Sequence, residues 1–197
     1  DTEYEAGVEM GRFFAEKGIK TAAIYGAFIP NPMHVYRVAG VLSGLGLSYD
    51  GATEEGEVVG KIFTDQSVDL SKISGDIQIV SYLQGYGDTT TDEINAAIQA
   101  KPEAFISVGM ATTFFTQQLN AAGIEFSDID SFTQSNGEAI TNGKLVYLAG
   151  KYSSSVGPAF ALVLNAINGN VIRDEQGNAV SLSQNYQVAT DEATFDE

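Results

Sequence analysis

Short apolar runs alternate with longer stretches of helical periodicity along most of the chain, and this rhythm restricts the fold more than any other feature. The apolar runs lack polar alternation, as in strands that are covered on both faces. Strand–helix alternation of this kind is typical of βαβ units. The sequence therefore predicts an α/β fold with a doubly wound, mostly parallel sheet. We expect strands at residues 20–25, 76–83, 104–108, 128–133, 145–149 and 184–189, and helices at residues 4–17, 33–46, 89–100, 111–122 and 153–168.

One segment departs from this rhythm. Residues 48–70 begin with a turn signal at Asp50-Gly51 and continue through an acidic patch. The β-branched pair Val58-Val59 is followed by a second apolar pair, Ile62-Phe63. We expect residues 58–63 to form a short strand or one arm of a hairpin.

The composition excludes several classes of function. Hydrophobic residues make up 44% of the 197 residues, enough to build a core. Twenty-six acidic residues against ten basic ones leave a net charge of −16, which repels nucleic acid. The absence of cysteine excludes disulfides and thiolate chemistry, and a single histidine excludes a multi-histidine metal site. No apolar run approaches the roughly 18 residues of a membrane span.

Motifs of common enzymes are missing. The loop after the first expected strand, Gly26-Ala27-Phe28-Ile29-Pro30, does not match the glycine pattern of dinucleotide sites. The serines at 153–155 have no histidine nearby and are interpreted as a helix N-cap region. His34 lacks a visible nucleophile or carboxylate partner, so a capping or surface role is favoured over a general base. We therefore predict no catalytic residue, no metal and no cofactor.

Loops at the carboxyl ends of the expected strands are the candidate ligand sites, because doubly wound sheets bind ligands at that edge. Arg37, Tyr86 and Lys151 lie in or next to these loops. Each has a simpler interpretation: Arg37 as a surface arginine paired with an acid, Tyr86 as loop packing, and Lys151 as a solvated lysine. Their common location on one edge favours a binding role.

Several short motifs occur in an order that resembles the type I periplasmic binding proteins. This family contains the ribose-type sugar receptors of ABC transporters and related repressor effector domains. Arg37 and Gly40 resemble the R-x-x-G of a family helix, and the opening D-x-x-x-x-x-G run resembles the segment after the first hinge crossing. Further similar blocks stand at residues 102–108, 121–124, 143–145, 155–157 and 167–169.

The resemblance implies a Rossmann-like lobe and a receptor rather than an enzyme. Residues 1–150 would form the C-terminal ligand-binding lobe, and residues 151–197 would return to pack on an N-terminal lobe that this chain lacks. The receptor would bind a small ligand between the lobes and deliver it to a membrane permease, in a periplasmic, extracellular or lipid-anchored form. The alternative is the effector-binding domain of a LacI-type transcription regulator.

The resemblance also implies a set of ligand-binding residues. Three of its positions depart from the family pattern: Gly109-Met110 stands where the family has Asn-Asp, and Thr133 stands where it has an aspartate. These departures, together with the presence of Lys151, leave three ligand classes open: a sugar, a nucleoside or a small anion. The expected ligand-binding residues are Arg37, Tyr86, Gly109, Met110, Thr133 and Lys151.

Overall fold

A computed structural model describes residues 2–85, 91–130, 132–151, 156–182 and 186–196. The helices are α1 (Thr2–Glu16), α2 (Pro32–Gly44), α3 (Glu55–Asp65), α4 (Thr91–Gln99), α5 (Ala111–Phe114), α6 (Thr116–Ala122), α7 (Gln134–Asn142), α8 (Val156–Ile167) and α9 (Glu192–Asp196). The strands are β1 (Thr21–Tyr25), β2 (Ser48–Tyr49), β3 (Ile73–Ser74), β4 (Gln78–Leu83), β5 (Ala104–Ser107), β6 (Glu125–Asp130), β7 (Leu145–Gly150) and β8 (Gln187–Ala189).

A six-stranded sheet in the order β4-β1-β5-β6-β7-β8 forms the centre of the fold. Neighbouring strands run parallel except β8, which pairs antiparallel with β7. All four residues of β5 are buried in succession. Because successive side chains point to opposite faces of a sheet, both faces are covered at this strand. The predicted α/β fold with a mostly parallel sheet is confirmed.

Two local predictions were wrong, and the strand expected at residues 128–133 is displaced to Glu125–Asp130, with Thr133 at the N-cap of α7. Residues 58–63 lie within helix α3 rather than in a strand, and Val58, Val59 and Ile62 are its buried residues. These residues are spaced so that they lie on one face of a helix. Burial of that face outweighs the strand preference of the β-branched pair Val58-Val59. The helix expected at 111–122 is divided at the fully buried Phe115, whose φ of −125° is not helical.

Helices α1 and α2 touch backbone to backbone through two glycines on each helix. A Cβ on Gly7 would lie 2.2 Å from the carbonyl oxygen of Arg37, and one on Gly40 would lie 2.1 Å from that of Tyr4. Gly11 and Gly44, one turn further along, are equally tight. Glycine is a weak helix former, yet here its lack of a side chain is what lets the two helices meet.

Helix α8 has a different environment from the rest of the fold. Leu162 and Asn165 are half-buried, and its other residues are exposed. Phe160 is 67% exposed and Ile167 is 76% exposed, which is unusual for large apolar side chains. Among the described residues, no helix combines the length and apolar character that a membrane crossing requires.

The glycine contact gives a test of the fold. Gly7→Ala and Gly40→Ala should each lower the free energy of unfolding by about 1–3 kcal/mol, because the new methyl group meets backbone that cannot move aside. Gly56→Ala in α3 is the matched control, since its Cβ would meet nothing within 4 Å. The control should leave stability unchanged or raise it by about 0.5–1 kcal/mol. Urea unfolding measures both, and equal effects at the three positions would contradict the close packing.

Candidate functional site

The strand order reverses at β1, and in a doubly wound sheet such a reversal marks the edge at which a ligand crevice is expected. From β1 the chain continues to β4 on one side and then to β5 on the other side. Ligands of doubly wound sheets bind at such a reversal, beyond the carboxyl ends of the strands. Here the edge is formed by the loops that follow β1 and β5, and helix α2 begins beside them.

Arg37 of α2 reaches across this edge. Its guanidinium donates three hydrogen bonds: Nη1 to the carbonyl of Val108 at 2.9 Å, Nε to Glu3 at 2.7 Å and Nη2 to the hydroxyl of Tyr186 at 2.6 Å. The arginine is buried. It therefore ties α1, α2, the end of β5 and the residue before β8 together.

Glu3 is the centre of a four-residue cluster that we call the Arg37 cluster: Glu3, Arg37, Lys151 and Tyr186. The Tyr186 hydroxyl donates to Glu3 at 2.6 Å, and the Lys151 ammonium lies 3.7 Å from the other carboxylate oxygen. The same ammonium stands 4.4 Å from the centre of the Tyr186 ring, in a cation–π contact. The cluster contains two cations and one carboxylate.

The cluster changes the pKa values of its members. Burial raises the pKa of Glu3, but the Tyr186 hydrogen bond and the charges of Arg37 and Lys151 outweigh it, so the pKa is lowered. Burial and the bond to Glu3 raise the pKa of Tyr186 to about 12. Glu3 is thus held as a carboxylate and Tyr186 as a neutral hydroxyl at neutral pH.

His34 is buried beside the cluster, which corrects the capping or surface role expected from the sequence. Its Nδ1 lies 3.0 Å from both the amide nitrogen and the carbonyl oxygen of Phe28. Its Nε2 lies 3.6 Å from where a Cβ on Gly109 would stand, and Arg37 Nη1 lies 3.7 Å from the same point. Burial lowers the pKa of His34, which keeps the imidazole neutral.

Asp128 of β6 anchors the loop that follows β5. This buried carboxylate accepts hydrogen bonds from the hydroxyl of Ser107 at 3.0 Å and from the amide and hydroxyl of Thr112 at 2.7 and 2.8 Å. Between these anchors, Met110 adopts a left-handed conformation with φ of 70°. Such strain in a non-glycine residue is commonest near functional sites. Within the described ranges, no three acidic or histidine side chains group as a metal site.

The structure brings some of the expected site residues together and separates others. Arg37 and Lys151 meet in the Arg37 cluster, and Gly109 lies beside it. Met110 is half-buried in the adjoining loop. Thr133 is exposed, and its hydroxyl accepts from the amide of Asn136 as the N-cap of α7. Tyr86 lies outside the described residues.

Two residues at this edge, Glu3 and Tyr186, were missed by sequence reasoning, and His34 was assigned a capping or surface role instead. Glu3 was one acid in an acidic opening, and Tyr186 lies 183 positions away from it. The one available signal was the arginine itself, because a buried guanidinium needs a carboxylate partner. The sequence did not say which of 26 acids that would be.

No protein-family profile matches the sequence, and no curated protein sequence matches it. Solved structures do match. An ABC transporter periplasmic solute-binding protein from Actinobacillus succinogenes 130z, with bound D-allose, has a TM-score of 0.65 at 15% identity, over 99% of this chain and 60% of that one. The arabinose-binding protein AraP from Geobacillus stearothermophilus has a TM-score of 0.62 at 11% identity, over 100% of this chain and 63% of its own. A solute-binding protein from Burkholderia graminis C4D1M, in complex with D-arabinose, has a TM-score of 0.63 at 14% identity. The match covers 96% of this chain and 60% of that one.

The chain has the fold of type I periplasmic binding proteins. The resemblance predicted from the sequence motifs is confirmed at the level of the fold. The chain spans about 60% of the length of the first of these structures. In the type I fold the Arg37 cluster lies at the carboxyl edge of the sheet, which is the edge expected to hold a ligand.

The lowered pKa of Glu3 gives a pH-dependent test. A carboxyl whose pKa is below its ordinary 4.5 in the folded state stabilises the fold above that pH, and the stabilisation is lost as the pH falls through the folded pKa. Glu3→Gln should therefore lower the free energy of unfolding by about 1–3 kcal/mol at neutral pH. The difference from the unsubstituted chain should narrow as the pH falls below the ordinary 4.5 and through the folded-state pKa.

Urea unfolding at several pH values measures this difference. Glu5→Gln is the matched control, because Glu5 is an exposed acid in the same first turn of α1. It should follow the unsubstituted chain at every pH. If Glu3→Gln lowers the free energy of unfolding by the same amount from neutral to acid pH, the carboxylate charge is not what stabilises the cluster.

Proposed function

We propose that this chain is the ligand-binding lobe of a solute receptor for an ABC transporter, and that its ligand is a sugar. The single observation that carries the proposal is the position of Arg37, a buried arginine at the carboxyl edge of the sheet where the strand order reverses. The sugar-binding proteins with the same fold support the choice of ligand. The protein would act outside the cytoplasm, without catalysis, and pass its ligand to a membrane permease.

Arg37 has the donors for this task. A guanidinium carries five N–H groups, and three donate to Glu3, Val108 and Tyr186. The remaining two are available for sugar oxygens, and the three internal bonds hold them in place before the ligand arrives. His34 adds a neutral imidazole nitrogen beside Gly109, and Lys151 adds a donor at the rim.

We further propose that α8 and its neighbouring residues pack on a second lobe in the complete protein. Residues 1–150 then form one lobe, and residues 151–197 leave it and return. The apolar side chains of α8 support this, because large apolar surfaces on soluble proteins usually mark an interface. Val156, Phe160, Val163 and Ile167 are all more than half exposed. The ligand would lie in the cleft between the lobes.

Titration of the ¹⁵N-labelled chain with D-arabinose and D-allose tests the site. Saturable chemical-shift changes are expected at Gly26 and Gly109, which flank the crevice, while Gly123 precedes β6 at the opposite edge and should not change. Arg37→Lys should weaken binding about tenfold or more, because lysine cannot present a planar pair of donors. Arg12→Lys, at an exposed position of α1, is the control and should bind normally. Because this chain supplies only one lobe, its binding should be weak; shifts that centre elsewhere, or an Arg37→Lys variant that binds as tightly as the unsubstituted chain, would refute the proposed site.

The fluorescence of an apolar dye such as ANS tests the second lobe. The 197-residue chain should bind the dye, and Phe160→Ser with Val163→Ser should remove most of the signal without lowering thermal stability. Leu70→Ser, at an exposed leucine away from α8, should leave the signal unchanged. In the product of the complete gene, α8 amides should exchange slowly and the dye should bind weakly. Fast exchange of α8 in that product would contradict a covering lobe.

A further inference from the structure

The charge balance of the crevice depends on one residue. Arg37 carries a permanent positive charge, and its side chain is only 8% exposed. A charge in such a position requires a counter-charge nearby. Glu3 provides it from within the chain, at 2.7 Å and with a side chain only 21% exposed. The ligand therefore does not have to bring a negative charge of its own.

The other ionisable side chains described at this edge leave that balance unchanged. His34 is buried and uncharged at neutral pH. Lys151 is positive, but its side chain is about one-third exposed, so water and salt weaken its effect on a ligand. The carboxylate of Asp128 is turned towards Ser107 and Thr112 and is occupied by their donors. Among the side chains that the structure describes at this edge, the buried charges of Arg37 and Glu3 therefore balance each other.

We infer that Glu3 is a specificity-determining positioning residue: its carboxylate neutralises and orients Arg37, so that the crevice selects an uncharged polyhydroxyl ligand over its carboxylate-bearing counterpart. This inference rests on the proposed sugar-binding function. It also chooses among the three ligand classes that the sequence left open, and it disfavours the small anion. Without Glu3, the two cations Arg37 and Lys151 would face the crevice without a counter-charge, and an anionic ligand would be preferred.

Two sugars that differ in one group provide the first test. D-glucose and D-glucuronate have the same ring, but a carboxylate replaces one hydroxymethyl group. The unsubstituted chain should bind D-glucose more tightly, and Glu3→Gln should shift the ratio of the two dissociation constants by about tenfold or more towards D-glucuronate. Glu3→Asp keeps the charge and should keep the original preference. Glu5→Gln, an exposed acid of the same helix turn, should behave as the unsubstituted chain.

A second measurement needs no sugar. Glu3→Ala leaves Arg37 without its carboxylate, so acetate should raise the melting temperature of this variant more than the uncharged acetamide does. The unsubstituted chain and Glu5→Ala should not distinguish the two additives. A preference for acetate that is restricted to Glu3→Ala identifies the missing charge, which loss of packing alone would not produce.

The two measurements separate failure of this inference from failure of the proposed function. An unchanged sugar preference in Glu3→Gln, together with no selective effect of acetate on Glu3→Ala, would overturn the role of Glu3. A selective acetate effect, without binding of D-glucose, D-arabinose or D-allose by the product of the complete gene, would support the role of Glu3 and overturn the sugar-binding function. A shifted sugar preference supports both.

Discussion

A buried guanidinium has to be paired inside the protein, and the arrangement at the carboxyl edge follows from that requirement. Arg37 receives a carboxylate from α1, a carbonyl from the end of β5 and a hydroxyl from the residue before β8. Satisfying one side chain thereby fixes the relative positions of stretches that are distant in sequence. The same three bonds hold the arginine in the orientation that a ligand would meet, so its stability and its proposed function have one origin.

The glycine contact between α1 and α2 brings Glu3 close enough to pair with Arg37. Glu3 stands one turn before Gly7 on α1, and Arg37 stands about one turn before Gly40 on α2. Helices usually pack 8–10 Å apart, at a distance set by the side chains between them. Here backbone meets backbone, and a methyl group at either glycine would separate the helices. The charge pair depends on residues that carry no chemistry themselves.

The sequence was informative where local pattern and burial agree. The strands at the centre of the sheet were predicted because they are continuously apolar, and Arg37 and Lys151 because they follow strands or stand in the adjoining helix. Glu3 and Tyr186 could not be predicted, since their bond spans 183 positions and nothing local distinguishes them. Residues 58–63 were misassigned because their β-branched pair suggested a strand, whereas their burial follows the spacing of a helix.

Lys151 and Tyr186 belong to the Arg37 cluster, and they flank the stretch of chain that includes the exposed helix α8. The described residues between them, 156–182, include α8 with its exposed apolar side chains. The cation–π contact holds the departing and returning ends of this part together, directly beside Glu3 and Arg37. In the proposed two-lobe receptor, a ligand held by Arg37 would therefore contact the same cluster that anchors the connections between the lobes. Ligand binding and lobe closure would then be coupled through adjacent side chains, without any longer path through the fold.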